Sequence, residues 1–152
     1  MKTQRAADNK LVIHLDRREK QLLVQVLGLY PRIPPAHQPL SKSARLPDHE
    51  AGQQLLNEAL AEQRAANRRQ VQALLAEDRR FEEKPDGWQV SFSQPEVEWL
   101  LEVLNDVRVG SWIILGSPEE KLGKLTRENA PHFWAMEMAG YFQMELLHAL
   151  AD

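Results

Sequence analysis

Apolar residues recur at helical spacing through one stretch of the chain that has a clear start and stop, residues 93–116. Ser93 and Glu96 have the spacing of a capping box, Pro95 fits the first helical turn, and Gly116 supplies a stop signal. Between these ends the apolar positions cover most of the helix circumference, so neighbours must cover the helix on most sides. Charged residues interrupt it too often for a membrane span. We therefore predict a central core helix.

Two short β-branched or aromatic runs each precede a helix signal. LVIHL at residues 11–15 leads into a second capping box formed by Asp16 and Glu19, and WQVSF at residues 88–92 leads into the central helix. We predict that the two strands pair, in antiparallel fashion if a local dyad relates the units, because such a small sheet needs a partner layer. A duplicated half-site would explain the similarity, but shared capping rules explain it too, and we favour the second interpretation.

The remaining segments complete a helical architecture. Five prolines in residues 31–47 predict an extended connection, and residues 48–80 predict one long charged helix or two stacked end to end. A broad apolar surface from Pro131 onward predicts a final helix that packs on the central one. The predicted class is mainly α (α+β), with a helical core of about four helices and a small two-stranded sheet, in a single globular domain over residues 1–152.

Charge is distributed unevenly along the chain. The net charge is -3, yet residues 1–46 carry nine basic residues against three acids. A basic arm for nucleic acid is one interpretation, but no aromatic residues alternate with the basic ones as stacking would require. The competing interpretation, in which the basic part packs on the acidic remainder, is the one we favour. We expect no nucleic-acid partner, no membrane insertion and a cytoplasmic location.

Three polar residues interrupt the central helix near its middle: Asn105, Asp106 and Arg108. Burying polar groups is costly unless they are paired, so they need a reason to be there. They form either an anchor for a ligand or partner, or a structural ion pair that fixes the helix register. Glu137 or Glu145 on the final helix is the expected acidic partner of Arg108.

The final helix also carries the sharpest metal-like spacing in the chain, Glu145-x-x-His148, with Glu137 two turns earlier. Carboxylate-bridged metal sites in helical bundles use this spacing, but they need a second such pair, and the sequence has none. A histidine near a helix C-terminus is the simpler explanation. The chain has no cysteine, and it lacks the phosphate-loop, nucleophile-elbow and zinc-helix motifs.

The phrase LNDVRVGSWIILG at residues 104–116 resembles an uncharacterised bacterial family known only as a domain of unknown function. The order of elements over residues 10–150 is similar as well. The resemblance implies no activity, cofactor or site residues. Members of that family are sometimes encoded beside the substrate adaptor of a Clp-type protease, which implies an adaptor or regulatory role.

These observations predict a non-enzymatic, cytoplasmic protein-interaction or regulatory domain without a cofactor. We expect it to associate with itself or with another protein, through the long charged helix and the exposed parts of the two C-terminal helices. The alternative is a small metal- or ligand-binding enzyme that uses Glu137, Glu145 and His148.

Overall fold

The computed structural model describes residues 1–34, 49–77, 79–119 and 124–151, without the side chain of His49. Of the predicted proline-rich connection over residues 31–47, only residues 31–34 belong to this described part of the chain. Within the described residues the elements follow in the order β1 (Lys2–Arg5), β2 (Leu11–Leu15), α1 (Arg17–Leu27), α2 (His49–Ala76), β3 (Phe81–Lys84), β4 (Gly87–Phe92), α3 (Gln94–Ile114) and α4 (Ala130–Ala151).

The sheet has four antiparallel strands in the order β1-β2-β4-β3, so the prediction of a two-stranded sheet is wrong, although an α+β class is compatible with this architecture. β2 and β4 form the predicted central pair, and each is extended by a hairpin to a short outer strand. The outer strands escaped prediction because none of their side chains is fully buried. KTQR and FEEK expose most of their side chains, with only Thr3 and Phe81 half-buried, and show no alternation of apolar and polar residues.

The two strand-and-helix units meet at the centre of this sheet. Ile13 of β2 lies opposite Val90 of β4, and these are the residues that superpose when the two units are aligned in sequence. Both predicted capping boxes are present. The Asp16 and Ser93 side chains accept from the backbone amides of Glu19 and Glu96, and the carboxylates of these glutamates accept from the backbone amides of Asp16 and Ser93. The capping rules read from the sequence therefore set both helix starts.

The core lies on the face of the sheet that α1, α3 and α4 cover. α3 and α4 form a hairpin of helices, and α1 packs against both. Coverage of α3 is complete around Val107, at 0% exposure, but not at its end, where Trp112 and Ile114 are 38% and 45% exposed. No described helix is long and apolar enough to cross a bilayer. The largest fully buried side chains include Ile13, Val26, Leu27, Val90, Phe92, Val103, Leu104 and Phe142.

The long helix α2 is continuous over 28 residues, which corresponds to about 42 Å. Of its described side chains, only Val71 and Leu74 are buried. Beyond its end, Arg80 donates to Glu77 and to the backbone oxygen of Ser91 and forms an ion pair with Glu96. The C-terminal end of α2 is thus fixed to the sheet and to α3, while the described side chains in the rest of the helix are half-buried or exposed.

Candidate functional site

The three polar residues predicted in the central helix do not form one cluster. Asp106 faces the segment that follows α1, where its Oδ1 atom accepts from the amides of Arg32 at 2.6 Å and Ile33 at 3.3 Å. Asn105 and Arg108 point toward α4. All three residues are hydrogen-bonded, Asp106 to the segment after α1, and Asn105 and Arg108 to each other and to Gln143 of α4.

A close backbone approach fixes the position of the Asp106 carboxylate. A Cβ atom on Gly110 would lie 2.4 Å from the carbonyl carbon of Arg32 and 2.6 Å from the nitrogen of Ile33, so only glycine fits there. The Arg32 guanidinium, whose pKa is lowered by burial, donates to Nδ1 of His132 at 2.8 Å. Because arginine only donates, His132 accepts at Nδ1. These contacts join the segment after α1 to both α3 and α4.

Arg108 does not pair with Glu137 or Glu145, contrary to expectation. Its Nε donates to Oε1 of Gln143 at 3.0 Å, and its Nη2 donates to Oδ1 of Asn105 at 2.9 Å. The antiparallel packing of α3 and α4 puts Arg108 beside Gly140, from which Gln143 is within reach one turn later. The arginine is therefore satisfied by neutral amide oxygens.

A second polar contact joins α2 to the rest of the molecule. The indole nitrogen of Trp99 donates to Oδ1 of Asn67 at 3.3 Å, and Nδ2 of Asn67 lies 3.2 Å from the Tyr30 hydroxyl. Because an indole nitrogen only donates, it fixes which end of the Asn67 amide is the carbonyl. Nδ2 therefore donates to Tyr30, and this contact joins α2 to α3 and to the segment after α1.

Next to this contact lies a cavity of about 210 Å³ between α2, α3 and the segment after α1. Charged side chains from two helices reach it, Arg64 from α2 and Glu102 with Asp106 from α3. The Nη2 atom of Arg64 is shielded from solvent and has no hydrogen-bond partner among the described residues. The complete lining is Tyr30, Ile33, Leu60, Gln63, Arg64, Asn67, Glu102, Asn105 and Asp106.

Sequence reasoning named Asn105 and Asp106 at this cavity but missed Tyr30 and Arg64 as members of a site. The sequence of α2 did contain a signal of a polar site, because Arg64 and Asn67 interrupt the stripe of apolar positions that leads to the buried residues of this helix. No pattern in the sequence could have placed that interruption opposite Asp106. That juxtaposition depends on how α2 docks.

Of the residues of the metal-binding alternative on α4, Glu137 and His148 are exposed and Glu145 is half-buried. Among the described residues, no three or more histidine, aspartate or glutamate side chains are placed so that they could hold a metal ion. Glu137 instead borders a surface groove together with Arg108 and Met144, and His148 lies exposed in the last turn of α4. These positions give no support to the metal site predicted from Glu137, Glu145 and His148.

A different polar contact lies on the side of α4 that faces α1. The Tyr141 hydroxyl donates to Oε2 of Glu19 at 3.2 Å. Burial and the neighbouring Glu19 carboxylate raise the pKa of Tyr141 to about 12. The phenol therefore stays protonated at neutral pH and acts as a hydrogen-bond donor between the two helices.

No family model, curated protein or solved structure matches this chain. The resemblance of residues 104–116 to a family of unknown function therefore stays a prediction. The functions proposed below depend on the placement of the described side chains alone.

Proposed function

We propose that this chain is a non-enzymatic, cytoplasmic protein-interaction domain that binds a second copy of itself through the outer face of α2. The observation that carries the proposal is the exposure of this helix, which buries only Val71 and Leu74 of its described side chains. An isolated helix in water is marginally stable, and most helices gain their stability from packing. Along its 28 residues the exposed side chains of α2 leave room for a partner on the outer face of the helix.

The outer face of α2 is suited to another helix. Leu55, Ala59, Ala66 and Ala73 are exposed and follow one another at spacings of four, seven and seven, which places them on one side of the helix. Leu55 alone exposes 67% of its surface. The alanines leave room for a partner backbone to approach, and the leucine supplies apolar area to bury.

The charges of α2 determine the direction of pairing. Its first half carries Glu50, Glu58 and Glu62, and its second half carries Arg64, Arg68 and Arg69. Two parallel copies would place like charges together, whereas two antiparallel copies place acids against arginines. An antiparallel crossing centred on Ala65 and Ala66 brings Glu62 of each copy opposite Arg69 of the other.

Sedimentation velocity over the low to high micromolar range tests this proposal with charge-reversed variants. We expect the parent to associate, and Glu62→Arg and Arg69→Glu each to associate more weakly, because each variant carries one sign of charge at both contact points. An equimolar mixture of the two variants should associate again, since their charges are complementary.

Arg18→Glu provides the matched control, because Arg18 is exposed on α1 and its reversal changes the net charge equally. It should behave as the parent does. A parent that is monomeric at high micromolar concentration contradicts self-association altogether. Association that neither α2 variant weakens contradicts the use of α2 and directs attention to the exposed Trp112 and Met144.

A further inference from the structure

The cavity between α2 and α3 holds a cation and an anion that do not neutralise each other. Arg64 and Glu102 both line it, yet within the described residues they form no ion pair with each other or with other side chains. Shielding a guanidinium nitrogen from water without an acceptor is costly, and native proteins rarely leave such a group unpaired. The missing acceptor points to a bound molecule.

The Tyr30 hydroxyl adds a second donor beside Arg64. Because it accepts from Nδ2 of Asn67, its own proton is left to donate elsewhere. Burial raises the pKa of Tyr30, so the phenol keeps that proton at neutral pH. Arg64 and Tyr30 together offer a carboxylate the combination of a charged donor and a neutral one.

Acceptors come from the α3 side of the same cavity. The two backbone amides of Arg32 and Ile33 both donate to Oδ1 of Asp106, which leaves Oδ2 without a hydrogen bond in the described part of the chain. Glu102, one turn earlier on α3, adds a second carboxylate at the cavity. An ammonium group needs acceptors of this kind, because it carries three donors and no lone pair.

We propose that this cavity binds a small zwitterion of the free α-amino acid class, with its carboxylate at Arg64 and Tyr30 and its ammonium at Glu102 and Asp106. A plain anion would face two carboxylates, and a plain cation would face the guanidinium, whereas a zwitterion satisfies both sides. The volume of about 210 Å³ lies below the usual 300 to 1,000 Å³ of sites for drug-sized ligands, which limits the ligand to this size class.

The test begins with the intact chain and the twenty common amino acids, each added singly at about 1 mM in a thermal unfolding assay, followed by calorimetric titration of any that stabilise it. We expect at least one to raise the melting temperature. Its methyl ester, which lacks the carboxylate charge, and its N-acetyl form, which lacks the ammonium, should each bind about tenfold more weakly or worse.

Two variants assign the binding to this cavity. Arg64→Met removes the guanidinium but retains an unbranched side chain, and Glu102→Gln changes an exposed residue, so both variants should fold. Each should weaken binding about tenfold or more, while Glu98→Gln, one turn earlier on α3 and outside the cavity, should not. Absence of binding across the whole panel overturns the proposal, and so does binding that Arg64→Met and Glu102→Gln leave unchanged. Neither substitution alters Glu62 or Arg69, so the outcome is separate from that of the self-association test.

Discussion

The hairpin of α3 and α4 and the long helix α2 are all regular helices, but they are stabilised differently. α3 buries seven residues in its 21 and α4 buries five in its 22, whereas among the described side chains of α2 only Val71 and Leu74 are buried. α3 and α4 gain their stability from packing on each other and on α1. α2 depends on its local sequence for most of its length.

That local sequence suits an exposed helix. α2 is rich in alanine and in long polar side chains, which have high helix propensity. Glu50 lies in its first turn, where the helix dipole favours an acid. The comparison shows that a continuous helix in this chain does not imply a continuous core, and the predictions below test how sharply the two regions differ.

The largest expected contrast is between two leucine truncations. Leu104 is fully buried in α3, so Leu104→Ala should lower the free energy of unfolding by about 2 to 5 kcal/mol through lost burial and the cavity left behind. Leu55→Ala on α2 should change it by about 0.5 kcal/mol or less, because Leu55 is already 67% exposed.

Chemical denaturation at low protein concentration measures both leucine variants as monomers. Equal losses for the two would mean that α2 belongs to the core as fully as α3 does. A small loss for Leu55→Ala together with weaker self-association would separate folding from partner contact on α2.

A smaller loss is expected from Gly110→Ala, which acts where the packed hairpin meets the segment after α1. The new Cβ would lie 2.4 Å from a backbone atom of Arg32, so the segment must move away from α3. We expect a loss of about 1 to 3 kcal/mol, together with weakening of the bonds from Arg32 and Ile33 to Asp106. Slower amide exchange at Arg32 than in the parent would argue against this account.

Arg108→Ala tests the polar pairing between α3 and α4. Because its partners are the neutral side chains of Asn105 and Gln143, which also bond to each other at 3.4 Å, no uncompensated acid is left behind. We expect a loss of about 1 to 2 kcal/mol by denaturation, less than for a broken buried ion pair. A loss above about 3 kcal/mol would show that Arg108 has an acidic partner after all.

The smallest effect at neutral pH concerns Tyr141, with a loss of about 1 kcal/mol for Tyr141→Phe from the bond to Glu19. The folded state raises the pKa of Tyr141 from about 10 to about 12, so it holds the proton more tightly than the unfolded chain does. This contribution is complete below pH 10 and is lost as the pH rises toward 12. The difference in stability between parent and variant should therefore shrink over that range, and a constant difference would contradict the assignment.

Prediction from sequence succeeded where local chemistry decides the structure. Asp16 and Ser93 fixed two helix starts, and short β-branched or aromatic runs identified β2 and β4. It failed for β1 and β3, whose hydrophilic residues pair through hairpin geometry and not through burial.

The candidate site could be predicted only in part, for a related reason. Asp106 stood out as a polar residue in an apolar helix, and Arg64 interrupts the apolar stripe of α2, but no pattern in the sequence places Arg64 opposite Asp106. What marks Arg64 is that its Nη2 atom is buried without a hydrogen-bond partner in the described part of the chain. That property appears only after α2 has docked beside Tyr30.

The hydrophilic outer strands have a consequence for the behaviour of the protein in concentrated solution. β1 ends in Arg5, and β3 carries Glu82, Glu83 and Lys84 along an exposed edge. An open sheet edge invites a strand from another molecule to add to it, which is a common first step of aggregation, and charged edge residues oppose that addition. The charged residues that hid these strands from the hydrophobic pattern thus protect the sheet against the addition of a strand from another molecule.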